Sequence, residues 1–281
     1  MVLISFVSVA FFTLLDRKVL GYGQIRKGPN KSVFMGVLLP LVDGVKLFFK
    51  NFMFPNSTIF PLVLLGGVIV FCSMVFTWVV VNSFFGGLES VPFILMVLFI
   101  SGFSVVGVFT MGLFSSGVYS YLGVLRSVAQ MVSYEVVMGL VLLVLVVFSL
   151  SLYSLMRIPV LLVLVFVPTY LLAVIMEVNR TPVDFLEGES ELVSGGVTEL
   201  GGLVFALMFM GEYGFMAVYS VLLSIYVFGC VYVSVVFMGI LLMSWLRLSL
   251  PRFRYDLLML VSWKFMMPLI MVLILVVWGL I

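Results

Sequence analysis

The sequence predicts an all-α polytopic membrane protein with about eight transmembrane helices and a short amphipathic interfacial helix in its first inner loop. Three observations carry that prediction. The 281 residues are 64% apolar, only 9% charged and contain no histidine, and their mean hydropathy of +1.38 lies outside the soluble globular range. The charges are clustered, leaving uncharged or nearly uncharged runs, most of them near the ~20 residues that a span requires. Once those runs are counted as spans, nearly all the cations fall on one face.

Taken in order, the runs place spans near 1–16, 61–81, 92–113, 134–151, 158–177, 201–222, 226–246 and 263–281 of a single membrane domain, 1–281. The first ends in Asp16-Arg17-Lys18. A signal peptide carries its positive charge before the apolar run, so this order predicts a retained span. The inner-face loops are then 17–60, 114–133, 178–200 and 247–262. Those loops and the adjoining span ends hold Arg17, Lys18, Arg26, Lys27, Lys31, Lys46, Lys50, Arg126, Arg180, Arg247, Arg252, Arg254 and Lys264, and only Arg157 falls on the other face. Thirteen of fourteen cations on one side is a strong positive-inside pattern, and a miscounted span would scramble it.

The first inner loop almost contains two phosphate motifs. Gly21-Tyr22-Gly23 is followed by Arg26 where a dinucleotide fingerprint needs glycine, and Gly28 by Pro29 where a P-loop needs Lys. These glycines instead predict tight turns and close backbone approach. Further on, Asp43, Lys46 and Lys50 share one helical face and Val42, Val45, Phe49 and Phe52 the other, which predicts the interfacial helix. A membrane anchor and a direct role fit it equally. Cys72 and Cys230 stand alone in apolar runs, offer no metal spacing, and read as small core residues. With no histidine, neither haem, an iron–sulfur cluster nor zinc is expected on this chain. Redox chemistry nearby would have to be carried by a partner.

Residues 177–199 are the functional candidate. Glu177, Asp184, Glu187, Glu189, Glu191 and Glu199 supply half of the twelve acids, against one cation, Arg180. Such a loop is either a solvated surface or a site that handles protons or cations. Glu135 opens one span, Glu177 closes another and Glu212 sits about ten residues into a third. A lone charge at membrane depth costs about 2.5–3.5 kcal/mol on insertion scales, so such groups usually face the protein interior or water and mark ion routes. Thr181-Pro182-Val183-Asp184 also has the form of an N-cap with proline at the first helical position, so Asp184 reads equally as a helix start.

Four segments carry a family resemblance: Asp16-Arg17-Lys18-Val19-Leu20-Gly21-Tyr22 with Arg26-Lys27-Gly28-Pro29-Asn30; Leu125-Arg126-Ser127-Val128-Ala129-Gln130-Met131-Val132-Ser133-Tyr134-Glu135; Glu177-Val178-Asn179-Arg180-Thr181-Pro182-Val183-Asp184 with Glu187-Gly188-Glu189-Ser190-Glu191; and Pro251-Arg252-Phe253-Arg254-Tyr255-Asp256. In this order, along nearly the whole chain, they resemble the signatures of the NADH–ubiquinone oxidoreductase chain 1 family. Asp16 stands where the family has Glu, keeping the charge with a shorter reach. Leu39-Pro40 stands where it has Gln-Pro, losing an amide.

The resemblance implies a core membrane subunit of the proton-pumping respiratory complex I. Its inner loops would meet the peripheral-arm quinone-site subunits and wall part of a ubiquinone chamber. Carboxylates would lead toward antiporter-like membrane subunits. By motif position, Arg17, Arg26, Lys27, Arg126 and Arg180 correspond to cations of the quinone chamber or arm interface. Glu135, Glu177, Asp184, Glu187, Glu189, Glu191 and Glu212 correspond to the proton path. No redox cofactor is expected on this chain. Ubiquinone would be a substrate at a shared site, FMN and iron–sulfur clusters would belong to partner subunits, and no nucleic acid is implied.

Two other readings share some features. The membrane subunit of a proton-pumping hydrogenase has related motifs without the quinone. A secondary ion transporter would place carboxylates at membrane depth but typically shows an internal repeat, and none is visible. Scarce Thr, Gln, Pro and His, with abundant Phe, Val and Gly, fit the T- and G-biased coding strand of some mitochondrial genomes. The expected location is therefore the mitochondrial inner membrane, multi-pass, with the charged loops toward the matrix; a bacterial plasma membrane is the alternative.

Overall fold

The computed structural model describes residues 2–31, 33–50, 60–85, 90–152, 160–184, 186, 195–197, 200–228 and 233–280. The regular structure among them is helical. In chain order the helices are α1 (Val2–Gly23), α2 (Leu39–Phe49), α3 (Phe60–Phe85), α4 (Ser90–Leu113), α5 (Val118–Leu152), α6 (Val160–Glu177), α7 (Gly202–Phe228), α8 (Val233–Ser249), α9 (Tyr255–Leu260) and α10 (Met267–Leu280). A π turn, Val261–Met266, joins α9 to α10 in one continuous rod.

Each of the eight expected spans overlaps a helix among the described residues, but 226–228 of the seventh belong to α7, and α8 begins at Val233. Five stretches are long and apolar enough to cross a membrane: Phe60–Ser83, Phe93–Leu113, Val118–Val144, Gly202–Ile225 and Tyr255–Val276. Val165–Glu177 and Val233–Ser249 are shorter apolar helices. α1 runs on through Asp16, Arg17 and Lys18, so these charges lie on a helix and not in a loop. α5 begins at Val118, so most of the expected loop 114–133 is helix. The reason lies in its sequence: from 118 to 133 there is no proline and a single glycine, and small residues line its packed face.

α3 packs most extensively on α4 and then on α7, and α5 bridges α4, α6 and α10. Glycines set the tightest crossing. A Cβ on Gly66 would meet the Gly107 carbonyl oxygen at 2.7 Å, and one on Gly107 would meet that of Gly66 at 2.8 Å. Small residues let helix backbones approach in the absence of a hydrophobic drive between them. The main core gathers α3–α7 around fully buried Met74, Tyr134, Met138, Leu142, Tyr170 and Tyr219. Against it lies the α9–α10 rod, where the Tyr134 hydroxyl donates to the Leu258 carbonyl (2.8 Å), one turn before the π turn.

Two expectations are corrected. Lys50 lies just past the end of α2 in extended backbone, not on its polar face, while Phe52 lies outside the described residues. Cys72 is exposed on α3 and is not a core residue, because the inner face of that helix is taken by Val70, Ser73, Met74 and Thr77. Cys230 lies outside the described residues. The reading of the loop glycines holds, since a Cβ on Gly21 would meet the Gly28 amide nitrogen at 2.9 Å.

A buried charge cluster at the helix ends

The cluster is built on the turn that follows α6. α6 ends at Glu177, and the chain reverses through Asn179, whose φ of 52° is left-handed. Val183 N–H donates to the Arg180 carbonyl (2.8 Å) and closes the turn. Gln130, buried on α5, clamps it from inside: its Nε2 donates to the Met176 carbonyl (2.7 Å) and the Val183 carbonyl (3.2 Å), one on each side of the reversal. Phe253 N–H donates to the Pro182 carbonyl (3.2 Å), tying the segment before α9 to the same turn. A buried carbonyl left unpaired costs about 1–3 kcal/mol, so these bonds fix where Glu177 and Arg180 stand.

Arg180 is buried and faces α7. Its Nη2 lies 3.0 Å from Glu212 Oε2, with side chains only 8% and 13% exposed. Its guanidinium carbon sits 4.0 Å from the Tyr213 ring centroid and 4.8 Å from that of Phe209. Positions 209, 212 and 213 are neighbours on one helical face, so a single turn of α7 forms a cup of two rings and a carboxylate. The lone charge expected at Glu212 is therefore paired, and its partner is the cation that the charge pattern assigned to a loop.

Glu177 is treated differently. It is buried and accepts a hydrogen bond from the Tyr219 hydroxyl at 2.5 Å, a neutral donor two turns along α7 from Glu212. Glu177 and Glu212 line one small cavity with Ser101, Ser104 and Tyr219, among apolar Val70, Val108, Met131 and Met208. It has room for a water or two. Glu135 approaches from α5: a Cβ on Gly102 would meet its Oε1 at 2.6 Å, beside Ser101. Glu177 and Glu212 from α6 and α7 thus share this cavity, and Glu135 from α5 stands beside it at the Ser101–Gly102 turn of α4.

A second small cavity, which Arg180 also lines, is bounded by Asp16, Thr181, Tyr213, Ser244 and Arg247 among apolar Ile175, Met216 and Met243. There Arg247 Nη1 donates to Asp16 Oδ2 at 2.6 Å, linking α8 to α1.

The remaining candidates are placed apart. Arg17 is exposed and pairs with Asp43 at 2.9 Å, tying α1 to α2. Arg26 and Lys27 are exposed on the loop after α1, where Arg26 Nε donates to Gln24 Oε1 (2.9 Å). Arg126 is half-buried on α5. Asp184 is buried, and the helix-start reading of Thr181–Asp184 is corrected: 181–183 form a turn and bend whose Pro182 and Val183 carbonyls accept from Phe253 and Gln130, and 182–184 start no helix. Glu187, Glu189, Glu191 and Glu199 lie outside the described residues. Among the described residues no group of three or more His, Cys, Asp or Glu is placed to hold a metal ion. Gln130, Tyr219, Ser101 and the Asp16–Arg247 pair were not anticipated as site residues; of these only Gln130 and Asp16 stood in a quoted segment.

Fold and site together define a polytopic helical membrane protein that buries a charged network where the ends of several helices meet. The model of the NADH dehydrogenase family matches residues 1–278. NADH-ubiquinone oxidoreductase chain 1 of Heterololigo bleekeri is 42% identical over 285 residues, covering 94% of this chain and 90% of that one. The same-named chain of Branchiostoma lanceolatum is 40% identical, covering 93% and 88%. That of Artemia franciscana is 38% identical, covering 99% and 96%. The chain belongs to the NADH-ubiquinone oxidoreductase chain 1 family.

Proposed function

We propose that this chain works as a core membrane subunit of proton-translocating NADH:ubiquinone oxidoreductase, in the mitochondrial inner membrane, passing protonation changes from the quinone region through its buried carboxylates. The observation that carries the reading is that Glu177 and Glu212 line one water-sized cavity inside the helix bundle, with Glu135 beside it at Gly102. Carboxylates are seldom placed at that depth without an ionic role. Within the cluster Glu212 faces a permanent cation, whereas Glu177 faces a phenol, the serine-lined cavity and the nearby carboxylate of Glu135. Glu177 is therefore the member best suited to take and release a proton, with Glu212 as its fixed neighbour. The exposed cations Arg17, Arg26 and Lys27 suit a rim that meets peripheral-arm subunits or the mouth of a ubiquinone chamber. Electron carriers such as FMN and iron–sulfur clusters would reside on partner subunits, and antiporter-like subunits would receive the protonation change.

The test is Glu177→Gln, which keeps size but cannot ionise. In the assembled complex it should depress NADH oxidation with quinone, and the pumping coupled to it, by an order of magnitude or so, as removal of a proton-transfer group does. Electron transfer from NADH to an artificial acceptor should be unchanged. Wild-type turnover and pumping in Glu177→Gln would end the relay reading.

A further inference from the structure

The two small cavities flank the Arg180–Glu212 ion pair, Glu212 lining one and Arg180 the other. Their linings are opposite in charge. Among the described residues the carboxylate cavity is lined by Glu177 and Glu212 and by no Lys or Arg. The second cavity is lined by two arginines, Arg180 and Arg247, and one carboxylate, Asp16. A proton is attracted by the first lining and repelled by the second. The dividing charge is also pinned in place. Glu212 and the Phe209 and Tyr213 rings hold the guanidinium, while Gln130 and the Val183 amide hold the turn beneath it.

A guanidinium keeps its charge across the physiological pH range and so cannot hand a proton on. Fixed arginines in narrow passages exclude protons and cations for that reason. We propose that Arg180 is an electrostatic plug: it divides the Glu177–Glu212 cavity from the cavity at the Asp16–Arg247 pair, so that protons on the carboxylate side do not equilibrate with the other side. Arg180 is here a positioning residue, and the inference rests on the relay reading above. Its aromatic cup confines the charge to the partition, because leaving the cup would mean giving up both ring faces and the carboxylate together.

The experiment compares protons pumped per NADH with NADH–ubiquinone turnover, using assembled complexes in sealed proteoliposomes. Arg180→Met combined with Glu212→Gln removes both charges without stranding either. In that variant pumping should fall severalfold more than turnover does, because protons escape past the missing plug. Arg180→Lys, which keeps the charge, should hold the wild-type ratio. A purely structural role would lower both quantities in proportion. An unchanged ratio in the double variant would overturn the plug, and so would a ratio that falls as far in Arg180→Lys. If the double variant does not assemble, Phe209→Leu gives the second measurement: it keeps both charges and removes one ring wall. A lowered ratio is expected there, and an unchanged one would overturn the proposal. Failure of the relay reading is scored separately, as wild-type pumping in Glu177→Gln.

Discussion

Two arginines in this chain make the same kind of contact in opposite surroundings. Arg17 and Asp43 meet at 2.9 Å with side chains 55% and 42% exposed, tying α1 to α2 at the rim. Arg180 and Glu212 meet at 3.0 Å inside the bundle, between two rings. The distances are nearly equal, so distance does not separate their importance. Solvation does. An exposed pair exchanges good hydration for a weak, salt-screened attraction and contributes about 0–1 kcal/mol. A buried pair contributes little as a net pair, yet removing one member strands a charge and costs about 3–5 kcal/mol. Arg247–Asp16 lies between the two, its arginine partly exposed and its carboxylate buried.

The largest effect should come from Arg180→Met, which leaves Glu212 without its cation. Assembled complex, quantified on native gels, should be strongly reduced, and adding Glu212→Gln should restore much of it. Normal assembly in the single variant would mean that water reaches Glu212 and that the buried side of the comparison is wrong. Asp16→Asn should have an intermediate effect of about 1–3 kcal/mol, the range for a charge-assisted hydrogen bond. It should lower the thermal stability of the complex while leaving it assembled, because Arg247 keeps some access to solvent. Arg17→Ala should cost less than about 1 kcal/mol, with unchanged assembly and a melting temperature that becomes insensitive to moderate salt at this site. A large loss at Arg17 would sharpen the contrast differently, by showing that another chain covers the α1–α2 rim in the complex.

The fold was legible because its signals are long. Each span came from an uncharged run or, at α7, from one broken only by Glu212, and the interfacial helix from the alternation of Val42, Val45 and Phe49 with Asp43 and Lys46. The start of α5 was not, since Arg126 and Gln130 look like loop residues until the end of α6 and the turn after it close over Gln130. Within the site, the motifs singled out Glu135, Glu177, Arg180 and Glu212, but their partners could not be read from them. Arg180 and Glu212 pair because the turn after α6 folds onto α7, and Asp16 meets Arg247 across 231 positions. Tyr219 carried no signal at all, being one tyrosine in an apolar helix. Such contacts are set by helix crossings, which local sequence does not encode.

The π turn at Val261–Met266 ties the length of the chain to its packing. It accommodates one more residue than an α-helical turn would over the same rise, and such turns mark where a helix has absorbed an insertion. Removing that extra residue would leave α10 facing as it does now, whereas winding the turn into regular α-helix with every residue kept would swing everything after it by about 100° around its axis. Ile270, now 1% exposed, would leave the core, and a different face of α10 would turn toward α5. Along most of this chain hydrophobic residues exchange for one another on the lipid-facing side. In this one turn the backbone hydrogen-bond pattern, as much as residue type, decides which face of the rod packs.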